Sequence, residues 1–333
     1  MAPTKSEGYR SRRLLSGSSL LLVFLTACGG APESAAEAEA NYPKRPLTWI
    51  VAFDPGGGSD VEARRVQSAL EDKLGTRIQV QYRSGGGGAV GWSELVKQKA
   101  DGYTVGGLVI PHIIIQPLVL VDTGYATEEI RPVAWNVSAP AALLVVEDGR
   151  FETMQQFMTY AREHPGELTV GGVETFSTSD LALAQLMDSS GIDVDYVPLT
   201  GGAGPLLNSL RGGHVDAVML GTSHAVRADG IRALAVAGDE RFETLPDVPT
   251  FAELGYEVTI VYAWGVGMPA DTPDAIATKF GNAVIEVMKE TGADLLEGGL
   301  SPLLIGPDEA VQYVARQKAT YETLMPLLEK LNR

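Results

Sequence analysis

Residues 48–70, TWIVAFDPGGGSDVEARRVQSAL, contain the stretch that decides the fold. The apolar run 49–53 predicts a buried strand, and the apolar spacing after it predicts a helix over 60–74. Between them lies a glycine-rich turn, DPGGGSD. The first N–H groups of a helix have no partner within it, and glycine allows a ligand to approach them closely. The turn therefore predicts an anion-binding site.

Short apolar runs alternate with helical segments along the rest of the chain. Further strands are predicted at 77–83, 104–110, 141–147, 168–173, 194–199, 215–220, 231–238 and 258–268. Further helices are predicted near 90–99 and at 151–164, 175–191, 274–290 and 307–331. This alternation predicts an α/β architecture with a mostly parallel sheet.

Glycine turns follow three of the predicted strands, at 56–58, 85–88 and 201–204. In open parallel sheets, ligands bind outside the carboxyl ends of the strands. Hydroxyl side chains near these turns add hydrogen-bond donors: Ser59, Thr175, Ser177, Thr178, Ser179 and Thr200. Each of these residues taken alone is typical of an ordinary helix N-cap. The recurrence of the same chemistry at three strand ends favours a binding site.

The first turn does not fit a nucleotide-binding loop. A P-loop requires a lysine after its last glycine, and here Ser59 and Asp60 follow instead. Gly86, Gly88 and Gly91 match G-x-G-x-x-G, but no acidic residue follows about twenty positions later to bind a ribose hydroxyl. The sequence therefore predicts no cofactor.

Hydrolytic and metal chemistry lack a complete set of residues. The GTSHA segment at 221–225 loosely matches a nucleophile elbow, but it lacks the final glycine and no helical pattern follows it. His214 and Asp216 have metal-ligand spacing without a third ligand. We therefore predict a binding protein with no metal, and we keep a secreted hydrolase that uses Ser223 or Ser177 as the alternative.

The N-terminus has the pattern of a targeting segment. A positively charged start precedes an apolar stretch that ends in LTAC, at Cys28, and this ending resembles a bacterial lipobox. Cys28 is also the only cysteine of the chain. We predict a lipoprotein signal peptide at 1–27 and a flexible tether at 28–41. The protein is then periplasmic or otherwise extracytoplasmic, with a lipid on Cys28 that anchors it to a membrane.

The charge of the chain excludes one class of partner. The 333 residues carry a formal net charge of -16, with no basic tract beyond the N-terminus. Phosphate binding requires clustered Lys and Arg, so we expect no nucleic acid partner. A small anion is still compatible with this charge, because salt screens surface fields beyond about 8 Å, whereas donors at a helix terminus act at contact distance.

Several segments together resemble the tripartite tricarboxylate transporter solute receptors, the TctC or Bug family. They are YPKRPLTWIVAFDPGGGSDVEARRVQSALEDKLG, IQVQYRSGGGGAVGWSEL, VPLTGGAGPLLNSLRGGHVDAVMLG, RALAVAGDERFETLPDVPTFAELGY and AWGVGMPADTP. The resemblance implies a two-lobed, type II periplasmic-binding-protein-like fold with a ligand cleft between the lobes. Lobe one would comprise 42–140 plus 262–333, and lobe two would comprise 141–261.

The resemblance also implies a function. Such a receptor captures a di- or tricarboxylate in the cleft and delivers it to the membrane subunits of a tripartite transporter. Because some family members are implicated in signalling, a ligand sensor for a membrane kinase stays open as an alternative.

The resemblance implies that the first glycine turn, with Ser59 and Asp60 beside it, holds one ligand carboxylate. Arg83 or Arg131 is hypothesised to contact the far end of the ligand, and Trp264 is either an apolar wall of the cleft or a core residue. The candidate ligand-binding residues are Phe53, Pro55, Gly56, Gly57, Gly58, Ser59, Asp60, Arg83, Thr175, Ser177, Thr178, Ser179, Asp180, Thr200, Gly201, Gly202, Ala203 and Trp264.

Asp180 departs from the family pattern, in which many relatives carry histidine at this position. A carboxylate at a helix start is normally a cap. If Asp180 faces the ligand instead, it disfavours a second negative charge there and favours a hydroxyl or an amine.

Overall fold

The computed structural model describes residues 41–200 and 202–331. The strands in this part of the chain are β1 (Leu47–Val51), β2 (Ile78–Tyr82), β3 (Thr104–Ile110), β4 (Ile130–Val146), β5 (Thr169–Val173), β6 (Asp195–Leu199), β7 (Ala217–Gly221), β8 (Ile231–Val236), β9 (Val261–Pro269) and β10 (Ser301–Ile305). The helices are α1 (Gly58–Leu74), α2 (Ala89–Leu95), α3 (His112–Val119), α4 (Met154–Glu163), α5 (Thr178–Ser190), α6 (Ala203–Arg211), α7 (Thr222–Arg227), α8 (Asp274–Thr291) and α9 (Pro307–Leu331).

The strands form a mixed sheet in the order β2-β1-β3-β9-β4-β7-β5-β6, and β8 and β10 also pair with β4. β1 is parallel to β2 and β3, and β5 is parallel to β6 and β7. The long strands β4 and β9 run antiparallel to their partners. The α/β class predicted from sequence is confirmed, but the expectation of a mostly parallel sheet is wrong because β4 and β9 cross the molecule in the opposite sense.

Strand β4 joins two halves of the molecule. It pairs with β9 as far as Pro140 and with β7 from Ala141 onwards. We call the part built on β1, β2 and β3 the first half and the part built on β5, β6 and β7 the second half. The lobe limits 42–140 plus 262–333 and 141–261 stay a prediction. The change of partner along β4, between Pro140 and Ala141, falls at the predicted boundary.

Sequence patterns did not reveal every element. The segment 130–140, the strand β10 and the helix α3 were not predicted. Most of β4 is buried on both faces, so its sequence lacks the apolar-polar alternation by which a half-buried strand is recognised. Its role as the crossover therefore became visible only in the fold.

Helices cover both faces of the sheet and bring the halves together. α9 packs against β4, α3, α5 and α8, so it contacts both halves. Helix α8 approaches β4 closely at Gly281, where an added Cβ would lie 2.2 Å from the carbonyl oxygen of Val133. A larger residue would force the helix away from the crossover strand.

Candidate functional site

The predicted anion turn lies between β1 and α1. The helix has Gly57 as its N-cap, so no side chain accepts a hydrogen bond from its first amides. The N–H of Val61 is the first to bond within the helix, to the carbonyl oxygen of Gly57 at 3.0 Å. The amides of Gly58 and Ser59 precede it, and the first amides of a helix have no acceptor within the helix.

Asp60 supports this turn from within. Its side chain is 8% exposed. Its Oδ2 accepts a hydrogen bond from the Gly56 N–H at 2.8 Å, and its Oδ1 accepts from Arg64 at 2.8 Å and from the Tyr82 hydroxyl at 2.9 Å. Burial opposes ionisation, but these donors outweigh it and hold the pKa of Asp60 below its ordinary value. The carboxylate therefore orders the glycine turn.

The second half repeats this arrangement at the start of α5. Asp180 is the third residue of α5, as Asp60 is of α1, and its Oδ2 accepts from the Phe176 N–H at 2.8 Å. The Asp180 side chain is fully buried. Ser177 caps the helix and accepts from the Asp180 N–H at 3.4 Å. Asp180 is therefore positioned to hold the loop before α5, as a cap does.

Two aromatic side chains of β9 connect the two helix starts. The Tyr262 and Trp264 rings stack with centroids 6.0 Å apart. At α1, a Cβ added to Gly58 would lie 3.1 Å from Cζ2 of Trp264. At α5, the Ser179 hydroxyl hydrogen-bonds to the Tyr262 hydroxyl at 3.0 Å. The predicted turn of the first half and the predicted loop of the second half thus meet at one pair of rings.

Tyr262 is a neutral hydrogen-bonding group at this meeting point. Burial raises its pKa to about 12, and its hydrogen bond with the Ser179 hydroxyl opposes the shift. Its hydroxyl therefore stays protonated at physiological pH. Trp264 is partly buried and packs against two clusters of the core, so it has features of both roles that the sequence left open.

The second glycine turn also reaches the other half. Residues 85–88 are glycines with positive φ, a conformation that favours glycine. Gln116 donates from Nε2 to the carbonyl oxygens of Gly86 at 3.1 Å and Gly87 at 2.8 Å. A Cβ added to Gly87 would lie 2.9 Å from Oε2 of Glu174, which follows β5 in the second half. This turn is therefore a contact between the halves.

The third glycine turn lies beside the same loop. The Glu174 N–H donates to the carbonyl oxygen of Leu199, the last residue of β6, at 3.1 Å. Thr200 follows and is exposed, and Gly202 caps α6 without a side-chain acceptor, with Ala203 as the first helical residue. Gly201 lies outside the described residues. The described part of this turn adjoins the loop that contacts the first half.

Phe53, which directly precedes the first glycine turn, packs against two other rings of the first half. The ring of Phe53 lies 5.9 Å from the ring of His112 and 5.8 Å from that of Trp92. His112 is 7% exposed, and its Nδ1 has no hydrogen-bond partner among the described residues. Burial lowers the pKa of His112 to about 4, so the ring is neutral at physiological pH.

Neither candidate arginine is free of protein partners. Arg83 donates from Nε to Glu94 at 2.6 Å and to two further acceptors near β2. Arg131 lies at the start of β4 and donates to Asp274 at 2.6 Å. Both arginines therefore form ion pairs at the surface, which is the alternative to contact with a ligand. Their contact with a ligand stays a prediction, as it does for the exposed Pro55 and Thr175.

The residues considered for hydrolysis do not form a nucleophile-base pair. Ser177 contacts Tyr196 and the Glu174 carbonyl oxygen, and no histidine in the described part of the chain hydrogen-bonds to Ser177 or Ser223. One expectation was wrong: the GTSHA segment is followed by helical structure, because Thr222–Arg227 form α7. No group of three metal-ligating side chains occurs within 41–200 and 202–331.

A small cavity lies behind Trp264, between β1, α1 and β9. Its volume is about 10 Å³, and Trp49, Ser59 and Asn136 line it. This space is large enough for about one water molecule. It is too small for an organic acid, so the candidate ligand site is the surface where the halves meet, in front of Trp264.

Two α/β halves, joined by long crossover strands and with helix starts that meet at one pair of rings, are the architecture of a periplasmic solute-binding protein. Comparison with known proteins defines the family. Residues 62–330 match the family described as "Tripartite tricarboxylate transporter family receptor", TctC. The chain belongs to this family.

Relatives and solved structures agree with this assignment. The UPF0065 protein in the tcbD-tcbE intergenic region of Pseudomonas sp. strain P51 is 30% identical, and the match covers 84% of this chain and 85% of that protein. The structure of R. palustris Rpa4515 with adipate is 27% identical, with a TM-score of 0.79, and the match covers 87% of this chain and 99% of that one. MatC from Rhodopseudomonas palustris with bound malate is 25% identical, with a TM-score of 0.75, covering 86% and 100%.

The N-terminal predictions remain untested by the structure. Cys28, the signal peptide and the tether up to residue 40 lie outside the described residues. Within the described ranges, no helix has both the length and the apolar character that a membrane span requires.

Sequence reasoning missed several residues of the site. Tyr262, Gln116, His112 and Glu174 were not singled out, because each acquires its position through contacts distant in sequence. A signal was present for one of them: Glu174 directly follows a predicted strand, at the edge of the sheet where ligands bind.

Proposed function

We propose that this protein is an extracytoplasmic receptor that captures a small organic carboxylate between its two halves. The ligand is a di- or tricarboxylate, and its carboxylate is held by main-chain amides at the starts of α1 and α5. The protein then delivers the ligand to the membrane subunits of a tripartite tricarboxylate-type transporter. In this proposal the lobes comprise 42–140 plus 262–333 and 141–261.

One observation carries the proposal: the starts of α1 and α5 meet at Tyr262 and Trp264. Gly58 packs on Trp264, and Ser179 hydrogen-bonds to Tyr262. A helix start presents unpaired donors and the positive end of the helix dipole. Two such starts directed at one place favour a single small anion, and a carboxylate has the two oxygens needed to accept from both.

The energetics support binding in spite of the net charge of -16. Hydrogen bonds to a charged group contribute about 1.5–3 kcal/mol each. Four such bonds, two from each half, give about 6–12 kcal/mol before the cost of immobilising the ligand, which is about 4 kcal/mol or more. The net gain is about 2–8 kcal/mol, and micromolar affinity, about 8 kcal/mol, lies at its upper end.

Native mass spectrometry of the purified full-length protein with a pooled library of mono-, di- and tricarboxylates tests the proposal. A receptor retains one or a few acids unchanged, and the complex survives gentle desolvation. A hydrolase would instead deplete a library member and release products. Retention of no acid would refute the proposed function.

The proposed lipid anchor has its own test. Cys28→Ser should move the protein from the membrane fraction to the periplasmic fraction, while Ser18→Ala in the same N-terminal region should leave the distribution unchanged. Wild-type protein that is already released from the membrane would contradict the anchor without affecting the binding proposal.

A further inference from the structure

The loop that connects β5 to α5 has an unusual backbone. Glu174 and Phe176 both have positive φ, 59° and 54°, although neither is glycine. Residues with a Cβ are disfavoured in this region, and glycine would be accommodated without strain. Strained positions of this kind cluster at ligand-binding sites when surrounding contacts hold them in place.

Neighbouring side chains hold this loop firmly. The Tyr196 hydroxyl donates to the Glu174 carbonyl oxygen at 2.5 Å, and the Phe176 N–H donates to Asp180 at 2.8 Å. The Ser177 hydroxyl donates to the same Glu174 carbonyl at 3.4 Å. The loop therefore presents the Glu174 side chain in a defined direction, in a conformation that glycine would adopt more readily.

The Glu174 side chain is directed at the glycine turn 85–88 of the first half. The Glu174 carboxylate lies against Gly87, where a Cβ would be 2.9 Å from its Oε2. No ion pair or side-chain hydrogen bond joins this carboxylate to any described residue, and Arg83, on the strand before the glycine turn, is paired with Glu94. Burial raises the pKa of Glu174, as expected for a carboxylate that faces no cation.

A carboxylate without a protein partner can accept a hydrogen bond from a ligand. We propose that Glu174 is a specificity-determining residue that selects carboxylates bearing a hydrogen-bond donor, an ammonium or a hydroxyl group, next to the carboxylate. The main-chain amides hold the ligand carboxylate, and Glu174 accepts a hydrogen bond from the donor. An acid without that group leaves Glu174 unpaired beside a second negative charge. This inference rests on the proposed function and names its substrate class.

Asp180 is not the source of this selectivity, although the sequence pointed to it. Its side chain is fully buried, and its Oδ2 is occupied by the Phe176 N–H. Glu174 is half-buried and faces the other half. The acidic residue that meets the ligand is therefore six positions earlier in the chain.

A matched series of acids tests the inference. For chain lengths of three to six carbons, the unsubstituted, 2-hydroxy and 2-amino acids are titrated by isothermal calorimetry, for example propionate, lactate and alanine or succinate, malate and aspartate. Wild-type protein should bind a substituted acid about tenfold or more tightly than its unsubstituted counterpart, the value of one charge-assisted hydrogen bond. Glu174→Gln should reduce that ratio by about tenfold.

Controls separate selectivity from stability. Glu257→Gln removes an exposed carboxylate of the second half and should leave the ratio unchanged. Glu174→Gly removes both the carboxylate and the backbone strain, so it should lose selectivity while its melting temperature rises. Wild-type protein that binds acids of the series without preference, or variants at Glu174 that keep the preference, would overturn the inference alone. Binding of no acid in the series would overturn the proposed function with it.

Discussion

Replacing Asp60 by alanine is expected to destabilise the protein and to disorder the first glycine turn. Asp60 is buried at the start of α1 and accepts hydrogen bonds from Gly56, Arg64 and Tyr82. The substitution leaves the Gly56 amide without its acceptor and detaches the turn from the helix. Stability and ligand affinity should therefore fall together.

The expected loss follows from the separate contacts. The hydrogen bond from the Gly56 amide to the charged carboxylate contributes about 1.5–3 kcal/mol, and the bond from Tyr82 adds about 1 kcal/mol. The Arg64 side chain is 53% exposed, so its ion pair adds less than about 1 kcal/mol. Together these contacts predict a loss of about 2.5–5 kcal/mol in the free energy of unfolding.

Urea denaturation followed by circular dichroism measures this loss. Asp54→Ala is the matched control, because Asp54 is exposed in the same turn, and its effect should stay within about 0.5 kcal/mol. The pKa of Asp60 is lowered from 3.8, so its stabilisation is present above that pH and is lost as the pH falls through the lower, folded-state value. A loss under about 1 kcal/mol at pH 7 would refute the structural role given to Asp60.

Three further substitutions test other contacts. Gly87→Ala should lower stability by about 1–2 kcal/mol through its positive φ, and further because its Cβ would displace Gln116 and Glu174, and it should weaken ligand binding. Gly191→Ala, with a similar φ and open space around it, should lower stability alone; equal affinity losses would contradict the assignment. His112, with a folded pKa of about 4, should make the free energy of unfolding fall by up to about 1.4 kcal/mol per pH unit between pH 6.5 and 5. His112→Asn should remove this contribution and leave that of His224, whose pKa burial also lowers to about 4, and the exposed His214→Asn should leave both. Tyr262→Phe should weaken carboxylate binding measurably while retaining the fold by circular dichroism, and unchanged affinity would remove Tyr262 from the site.

Local patterns in the sequence were sufficient for much of the fold. Helix starts, apolar runs and glycine turns are short-range features, and they predicted β3 at its observed limits and the glycine cap after α5. The N-terminal part of β4 was not predicted, because it is buried on both faces and lacks the alternation of a half-buried strand. The elements that bury it lie far away in the chain. The antiparallel direction of β4 and β9 likewise follows from how the halves are connected, which no local pattern encodes.

The site was predictable only in its main-chain part. Glycine turns at strand ends indicated where amides would be free, because that property depends on neighbouring residues alone. The contacts of Tyr262 with Ser179 and of Glu174 with Gly87 join residues more than eighty positions apart. The positions of the Asp180 and Glu174 side chains likewise depend on such contacts, so the sequence alone could not distinguish which carboxylate faces the other half.

The central claim is that amides from both halves converge on one carboxylate. Two-dimensional amide NMR of the isotopically labelled protein, titrated with the acid that it retains, tests this claim most directly. The account predicts that the resonances of Ser59 and Ser179 shift together, with the same dissociation constant. Shifts confined to one half, or absent from both helix starts, would contradict it.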